Sequence, residues 1–283
     1  MSKVAVITGG TSGIGLDVAK DLAESGDWRV KLIGSNSQRG QEAARSIQKA
    51  EFCQADVAKY IDLAKVFDSI FAEFGRIDFV FANAGVAELE DFFAAQPDAG
   101  IPPEPPLGLM QINLDGAVNT VYLAMHYFRR SSKPLSGMKN LILTSSIGGL
   151  YPCARTPVYS ATKHGIVGLT RSIADKLWQE GVRVNAICPG VVKPALLTDE
   201  LEALSPQEVQ IPIQYVTGLV RKLLAGDDLT DGKGCTVPSS KLFSKTLHIS
   251  HDAFFFIDQP EFHDESGRLT WEAMMERWKT ESS

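Results

Sequence analysis

Tyr159 and Lys163 stand four residues apart in a stretch of helical character, so both side chains leave one face of that helix. An ammonium beside a phenol favours the phenolate, which suits Tyr159 to take a proton from a hydroxyl or return one to a carbonyl oxygen. Ser145 and Ser146 fall at the end of the strand-like run NLILTS at 140–145. A hydroxyl there can hydrogen-bond a carbonyl or alcohol oxygen and polarise it while Tyr159 moves the proton. Each feature has a plain alternative: Tyr and Lys at this spacing are common on half-buried helix faces, and adjacent serines form turns.

The second chemical feature is the segment TGGTSGIG at 8–15, with Gly9, Gly13 and Gly15 around Thr11, Ser12 and Ile14. It lies between a strand-like and a helix-like segment. Glycines there let the backbone turn sharply and let a pyrophosphate approach the helix N-terminus, where unpaired N–H groups favour an anion. The expected ligand is a dinucleotide, and an oxidised nicotinamide would lower the Tyr159 pKa further. The ribose-reading position, about 20 residues beyond the loop, is occupied by Gly34, Ser35, Asn36, Ser37, Gln38 and Arg39. With no carboxylate to repel a 2′-phosphate, and with Ser35, Asn36 and Arg39 as donors, this end favours NADP, with NAD the alternative. Asp56, with Val57 beside it, could accept from an adenine amino group or simply cap a helix. Asn83, Ala84 and Gly85 are small enough to wall the adenine ribose.

These residues need a scaffold that brings several chain segments to one edge. Short β-branched runs alternate with helical segments: VAVIT at 4–8, a helix from Ile14 to Glu24, RVKLIG at 29–34, a helix over 38–48, a brief strand over 51–55, a helix from Ile61 to Phe74, and IDFVFA at 77–82. A helix over 107–129, the strand NLILTS, a helix from Pro157 to Gln179 and the strand VRVNAIC at 182–188 follow. The weaker CTV at 235–237 would be a seventh strand. This alternation predicts an α/β fold: a single-domain, doubly wound parallel sheet of Rossmann type, helices on both faces, ligand at the carboxyl ends of the strands. The expected organisation is a catalytic domain over 1–238, with a substrate loop about 190–215, and a C-terminal extension over 239–283 on the same body.

TGGTSGIG, ANAG at 82–85, SS at 145–146, YSATK at 159–163 and PG at 189–190, in this order, resemble the short-chain dehydrogenase/reductase family over roughly residues 3–195. The likeness is greatest to its single-domain secondary-alcohol dehydrogenases, such as the 15-hydroxyprostaglandin dehydrogenase type and related fungal enzymes. The resemblance implies hydride transfer between a nicotinamide and a carbinol or carbonyl carbon. It implies Ser146 as stabiliser of the substrate oxygen, Tyr159 as acid/base, and Lys163 as the residue that tunes Tyr159 and holds the nicotinamide ribose. Asn113, in QINLDGA, matches the asparagine of a water-linked proton path, and Pro189 and Gly190 belong to the cofactor wall. Pro194 stands where the family usually has a threonine, so cofactor orientation would fall to backbone groups such as that of Val192. The family also implies a homodimer or homotetramer.

The rest of the sequence sets bounds. In 283 residues, Lys and Arg number 28 against 34 Asp and Glu, a net charge of -6 with a pI near 5.4, the wrong sign for gripping nucleic acid. The four cysteines form no C-x-x-C pair, no apolar run approaches a membrane span, and the chain starts in a strand without an apolar leader; a cytoplasmic protein is expected. His248 and His251 lack the further ligands of a metal site, and no metal is expected. Tyr151 and Leu196, with Leu150, Leu197 and Phe92, give the substrate side an apolar character, which fits a lipophilic secondary alcohol or ketone. Two other functions share these residues in principle: a cofactor-binding sensor or scaffold without redox activity, and a cofactor-assisted cyclase or isomerase.

Overall fold

The computed structural model describes residues 2–95, 100–131, 137–192 and 207–281. Six parallel strands alternate with helices: β1 (Lys3–Thr8), α1 (Gly13–Glu24), β2 (Trp28–Gly34), α2 (Ser37–Arg45), β3 (Ala50–Gln54), α3 (Tyr60–Phe74) and β4 (Phe79–Ala82) come first. A short α4 (Gly108–Met110), a π-helical turn (Gln111–Asp115) and α5 (Gly116–Arg130) then form one continuous rod. After β5 (Lys139–Thr144), α6 (Pro157–Gln179) and β6 (Val182–Pro189) come α7 (Ile213–Ala225), the short β7 (Leu229–Thr230) and β8 (Thr236–Val237), β9 (Lys245–Ile249), β10 (Phe254–Ile257) and α8 (Glu265–Glu281).

The eight-stranded sheet has the order β10-β9-β6-β5-β4-β1-β2-β3, parallel except for β10, which runs antiparallel to β9. The order reverses between β1 and β4, and a crevice opens there at the carboxyl ends of the strands. Alternation along the strands sorts the two cores: Ala5, Ile7, Phe79 and Phe81 face α1 and α7, whereas Val4, Val6, Val80 and Ala82 face α3, α5 and α6. Both faces are therefore dry, as the continuous apolar strands require.

Several expectations need correction. CTV is no seventh strand of the main sheet; Thr236 and Val237 pair antiparallel with β7 in a separate ribbon. The seventh parallel strand is KTLHI, which aligns Lys245 to Ile249 with Asn185 to Pro189 of β6, and the run FFFI of the 239–283 segment is the antiparallel edge strand. Helix α2 ends at Arg45 instead of running to residue 48, and Lys49, at φ 63°, turns the chain into β3. The helix placed near 270–279 starts earlier, at Glu265. Among the described residues no helix is long and apolar enough to cross a membrane, and no cluster of ligands could hold a metal.

Candidate active site

Helix α6 positions the two central side chains. Pro157 occupies its first turn with the φ a helix wants. Thr156, at the cap position, makes no side-chain cap bond. The orphan N–H of Tyr159 is instead taken from a distance by the Glu88 carboxylate, at 2.7 Å to Oε2. One turn on, Lys163 is almost fully buried and its Nζ donates to the Thr144 carbonyl at 3.0 Å, 5.5 Å from the centre of the Tyr159 ring. The Ser146 hydroxyl reaches the same point from the end of β5: it accepts from the Gly148 N–H at 3.1 Å and lowers the pKa of the Tyr159 phenol. Ser145 lines the crevice too, and its hydroxyl donates to the Lys163 carbonyl at 2.7 Å, which ties β5 to α6.

A hydrogen-bonded path links this end of the crevice to the glycine loop. The Asn83 amide lies 3.4 Å from the Gly9 carbonyl, its Oδ1 accepts from the Thr144 hydroxyl at 3.0 Å, and the Thr144 carbonyl holds Lys163. In the loop, Gly9 and Gly13 have φ of 65° and 52°. A Cβ on Gly15 would sit 2.4 Å from the Gly9 carbonyl oxygen, whereas one on Gly13 would meet nothing within 4 Å. The first glycine pair thus serves packing and the other leaves bare backbone facing the crevice, a cradle that suits a pyrophosphate at the start of α1. Thr11 is buried against Gly34 and fastens the loop to β2.

The crevice, about 430 Å³, is lined by Gly9, Ser12, Gly13, Ile14, Asn83, Gly85, Ser145, Ser146, Tyr159, Lys163, Pro189, Gly190 and Val192 from among the sequence-derived candidates. Val86, Ala87, Glu88, Thr144 and Thr156 line it as well and were not singled out in the sequence. The other candidates lie around it. Ser35, Asn36 and Arg39 are exposed at the end of β2, where Asn36 Oδ1 caps α2 by accepting from Arg39 N at 2.9 Å. Asp56 accepts from Ala58 N at 3.1 Å, Val57 is packed against Gly116, and Ala84 follows Asn83 with its N–H on Thr8 Oγ1. Asn113 is buried in the π-helical turn, a distortion that recurs at functional sites. Its amide spans the backbone of Val86, accepting at 2.7 Å and donating at 2.9 Å, and thereby braces the strand of chain from Gly85 to Glu88. Tyr151 is half exposed and lies edge-on to His248 at 6.1 Å, outside the crevice. Leu196, Leu197, Lys193 and Pro194 lie outside the described residues.

Burial sets the electrostatics. It lowers Lys163 from 10.5 to about 8. It also pushes the Tyr159 phenol above its usual value, against the lowering effect of the Ser146 hydroxyl. Cys188 beneath Ser145 and Ser146 is raised to about 11 by burial, which marks it as an inert core thiol.

The sequence of the short chain dehydrogenase family matches residues 3–204. Among curated proteins, the short-chain dehydrogenase/reductase prx7 of Penicillium rubens is 41% identical over 270 residues, covering 92% of this chain and 95% of its own. Human 15-hydroxyprostaglandin dehydrogenase [NAD(+)] is 36% identical over 203 residues, covering 69% and 70%. Two solved structures share the fold: levodione reductase, at 23% identity, and the 3-ketoacyl-(acyl-carrier-protein) reductase of Brucella melitensis complexed with NADH, at 20%, both with a TM-score of 0.69 over 88% of this chain and 96% of theirs. With Ser146, Tyr159 and Lys163 gathered at the crevice of a Rossmann-like sheet, the chain belongs to the short-chain dehydrogenase/reductase family and is a nicotinamide-dependent oxidoreductase acting on a CH–OH or C=O group.

Proposed function

We propose that the protein interconverts a lipophilic secondary alcohol and its ketone, with Ser146, Tyr159 and Lys163 as the groups that handle the oxygen and its proton. The observation that carries this reading is the meeting of the Ser146 hydroxyl, the Tyr159 phenol and the Lys163 ammonium at one crevice wall. Ser146 donates a hydrogen bond to the substrate oxygen, and Tyr159 takes the carbinol proton in oxidation or returns it in reduction. Lys163 stabilises the phenolate and, with Asn83 and the glycine loop, binds the cofactor ribose and phosphates; Asn113 holds the Gly85–Glu88 wall in place. The bound nicotinamide supplies the hydride acceptor or donor, and its cationic form is the charge that offsets the effect of burial on Tyr159.

NADP is the proposed cofactor, with NAD the alternative, because no carboxylate stands among Gly34, Ser35, Asn36 and Ser37 and Arg39 is exposed beside them. The name of the human relative carries NAD(+), so the two cofactors are to be titrated side by side. A homodimer or homotetramer is proposed with it, supported by the exposed Ile61, Val118 and Tyr122 on α3 and α5 and checked by light scattering. Four unpaired cysteines support a reducing, cytoplasmic location. The test of the reaction is purified protein with either oxidised cofactor and a set of apolar secondary alcohols. Growth of nicotinamide absorbance is expected. Conversion without that growth would point to an isomerase or cyclase, and cofactor binding without conversion of any alcohol or ketone to a sensor.

A further inference from the structure

We infer that Glu88 is a positioning residue for the proton transfer: through the Tyr159 N–H it ties the helical turn that carries the phenol to the Asn83–Glu88 wall of the crevice. This rests on the oxidoreductase reading above. Oε2 accepts that N–H at 2.7 Å, and Glu88 is 8% exposed, so water competes little for this charge-assisted bond. The other oxygen, Oε1, is buried without a partner among the described residues. A carboxylate buried with one oxygen unpaired is a costly way to cap a helix. The hydroxyl of Thr156 stands at the cap position itself, yet it makes no cap bond and donates to Cys153 Sγ at 3.1 Å. Helix stability alone therefore does not account for Glu88.

What Glu88 supplies is a fixed place. Tyr151 to Arg155, which lead into α6, are exposed, so burial does not hold the approach to the helix. The wall is pinned along its length. The N–H groups of Asn83 and Ala84 donate to Thr8 Oγ1 at 3.1 and 3.3 Å, and the Asn113 amide binds both the N–H and the carbonyl of Val86. The wall meets α6 at two points one turn apart: a Cβ on Gly85 would lie 3.4 Å from Lys163 Nζ, and Glu88 holds Tyr159. Phenol and ammonium are thus placed against one rigid segment, whose Asn83 and Gly85 also line the crevice. Misplacing a reacting group by about 1 Å costs about a hundredfold in rate, so a single bond at this point matters to turnover.

Two variants separate reach from charge. Glu88→Gln keeps the reach and an oxygen for the Tyr159 N–H but loses the charge. Glu88→Asp keeps the charge and is one methylene shorter, about 1.5 Å. Both are assayed beside Glu88→Ala with cyclohexanol and cyclododecanol, at saturating cofactor and well below each Tm. In Glu88→Asp and Glu88→Ala kcat should fall by about a hundredfold, with KM for the alcohol and Kd for the cofactor within about threefold of wild type. Glu88→Gln should restore kcat to within about threefold of wild type. If Glu88→Ala does not fold, the Gln and Asp pair decides. A lower Tm with unchanged kcat in Glu88→Asp would overturn the assignment and leave Glu88 a helix cap only. An active Glu88→Asp beside an inactive Glu88→Gln would overturn it in favour of a charge effect. A wild type that reduces no cofactor with either alcohol would overturn the reading beneath it, and this inference with it, a result distinct from four proteins that turn over alike.

Discussion

The two ends of the crevice are made of different material. At the β1 end the working surface is backbone: Gly9 and Gly13 hold positive φ, Gly15 is packed against Gly9, and Ser12, Gly13 and Ile14 at the start of α1 line the crevice. At the β5 end it is side chain: Ser146, Tyr159 and Lys163, each placed by a bond from a neighbouring element. Backbone suits an anion of fixed shape, because N–H donors need no ionisation and lose no rotamer entropy. Side chains suit proton transfer, because only they change charge. An added Cβ should therefore damage the first end through affinity, and a removed functional group the second through turnover.

The largest expected effect is that of Tyr159→Phe, which keeps the ring and loses only the proton carrier. Its kcat should fall by about a thousandfold or more, with cofactor affinity close to wild type in a fluorescence titration. A variant that still turns over would break the contrast by taking Tyr159 out of the chemistry. Gly15→Ala should give the opposite pattern. Its methyl would lie 2.4 Å from the Gly9 carbonyl and 2.7 Å from the Asn83 amide. The loop must shift, at roughly 3 kcal/mol, which weakens cofactor binding about a hundredfold; kcat at saturating cofactor should largely recover.

Lys163 joins the two ends, and its replacement sharpens the contrast in a third way. Burial lowers it from 10.5 to about 8, so the unfolded chain holds this proton more tightly than the folded one. The charged form burdens the fold below pH 8, by roughly 3 kcal/mol, and that burden is lifted as pH rises from about 8 to 10.5. Lys163→Met loses the bond to the Thr144 carbonyl, worth about 1 kcal/mol, and should still raise Tm by about 5 °C near neutral pH while abolishing turnover. The gain should shrink steadily through the alkaline window; a constant gain across it would contradict the buried ammonium. Gly13→Ala carries the smallest effect. Nothing lies within 4 Å of the new methyl, so the cost is that of φ 52° for a side chain, about 1 kcal/mol, seen as about a fivefold rise in cofactor Kd.

The sequence was legible where a local pattern coincided with a tertiary role. Pro157 to Gln179 is the helix that its period announced, and the apolar runs of β1 and β6 are strands buried on both faces. Legibility failed where the partner is remote. KTLHI and FFFI become strands because β6 offers a free edge to Lys245–Ile249, whereas CTV finds only the two residues of β7. Glu88 looks no different in sequence from Glu90 or Asp91. Its role comes from meeting the N-terminus of a helix 71 positions away.

Residue order alone settled the alternating sheet, the glycine turn and the shared helix face of Tyr159 and Lys163, since periodicity and backbone freedom are properties of neighbouring residues. Only the folded chain decided the protonation tendencies and the pairing of each polar group. Burial pushes the phenol up and the ammonium down, and leaves one oxygen of Glu88 unpaired, because desolvation depends on what the whole molecule packs around a site.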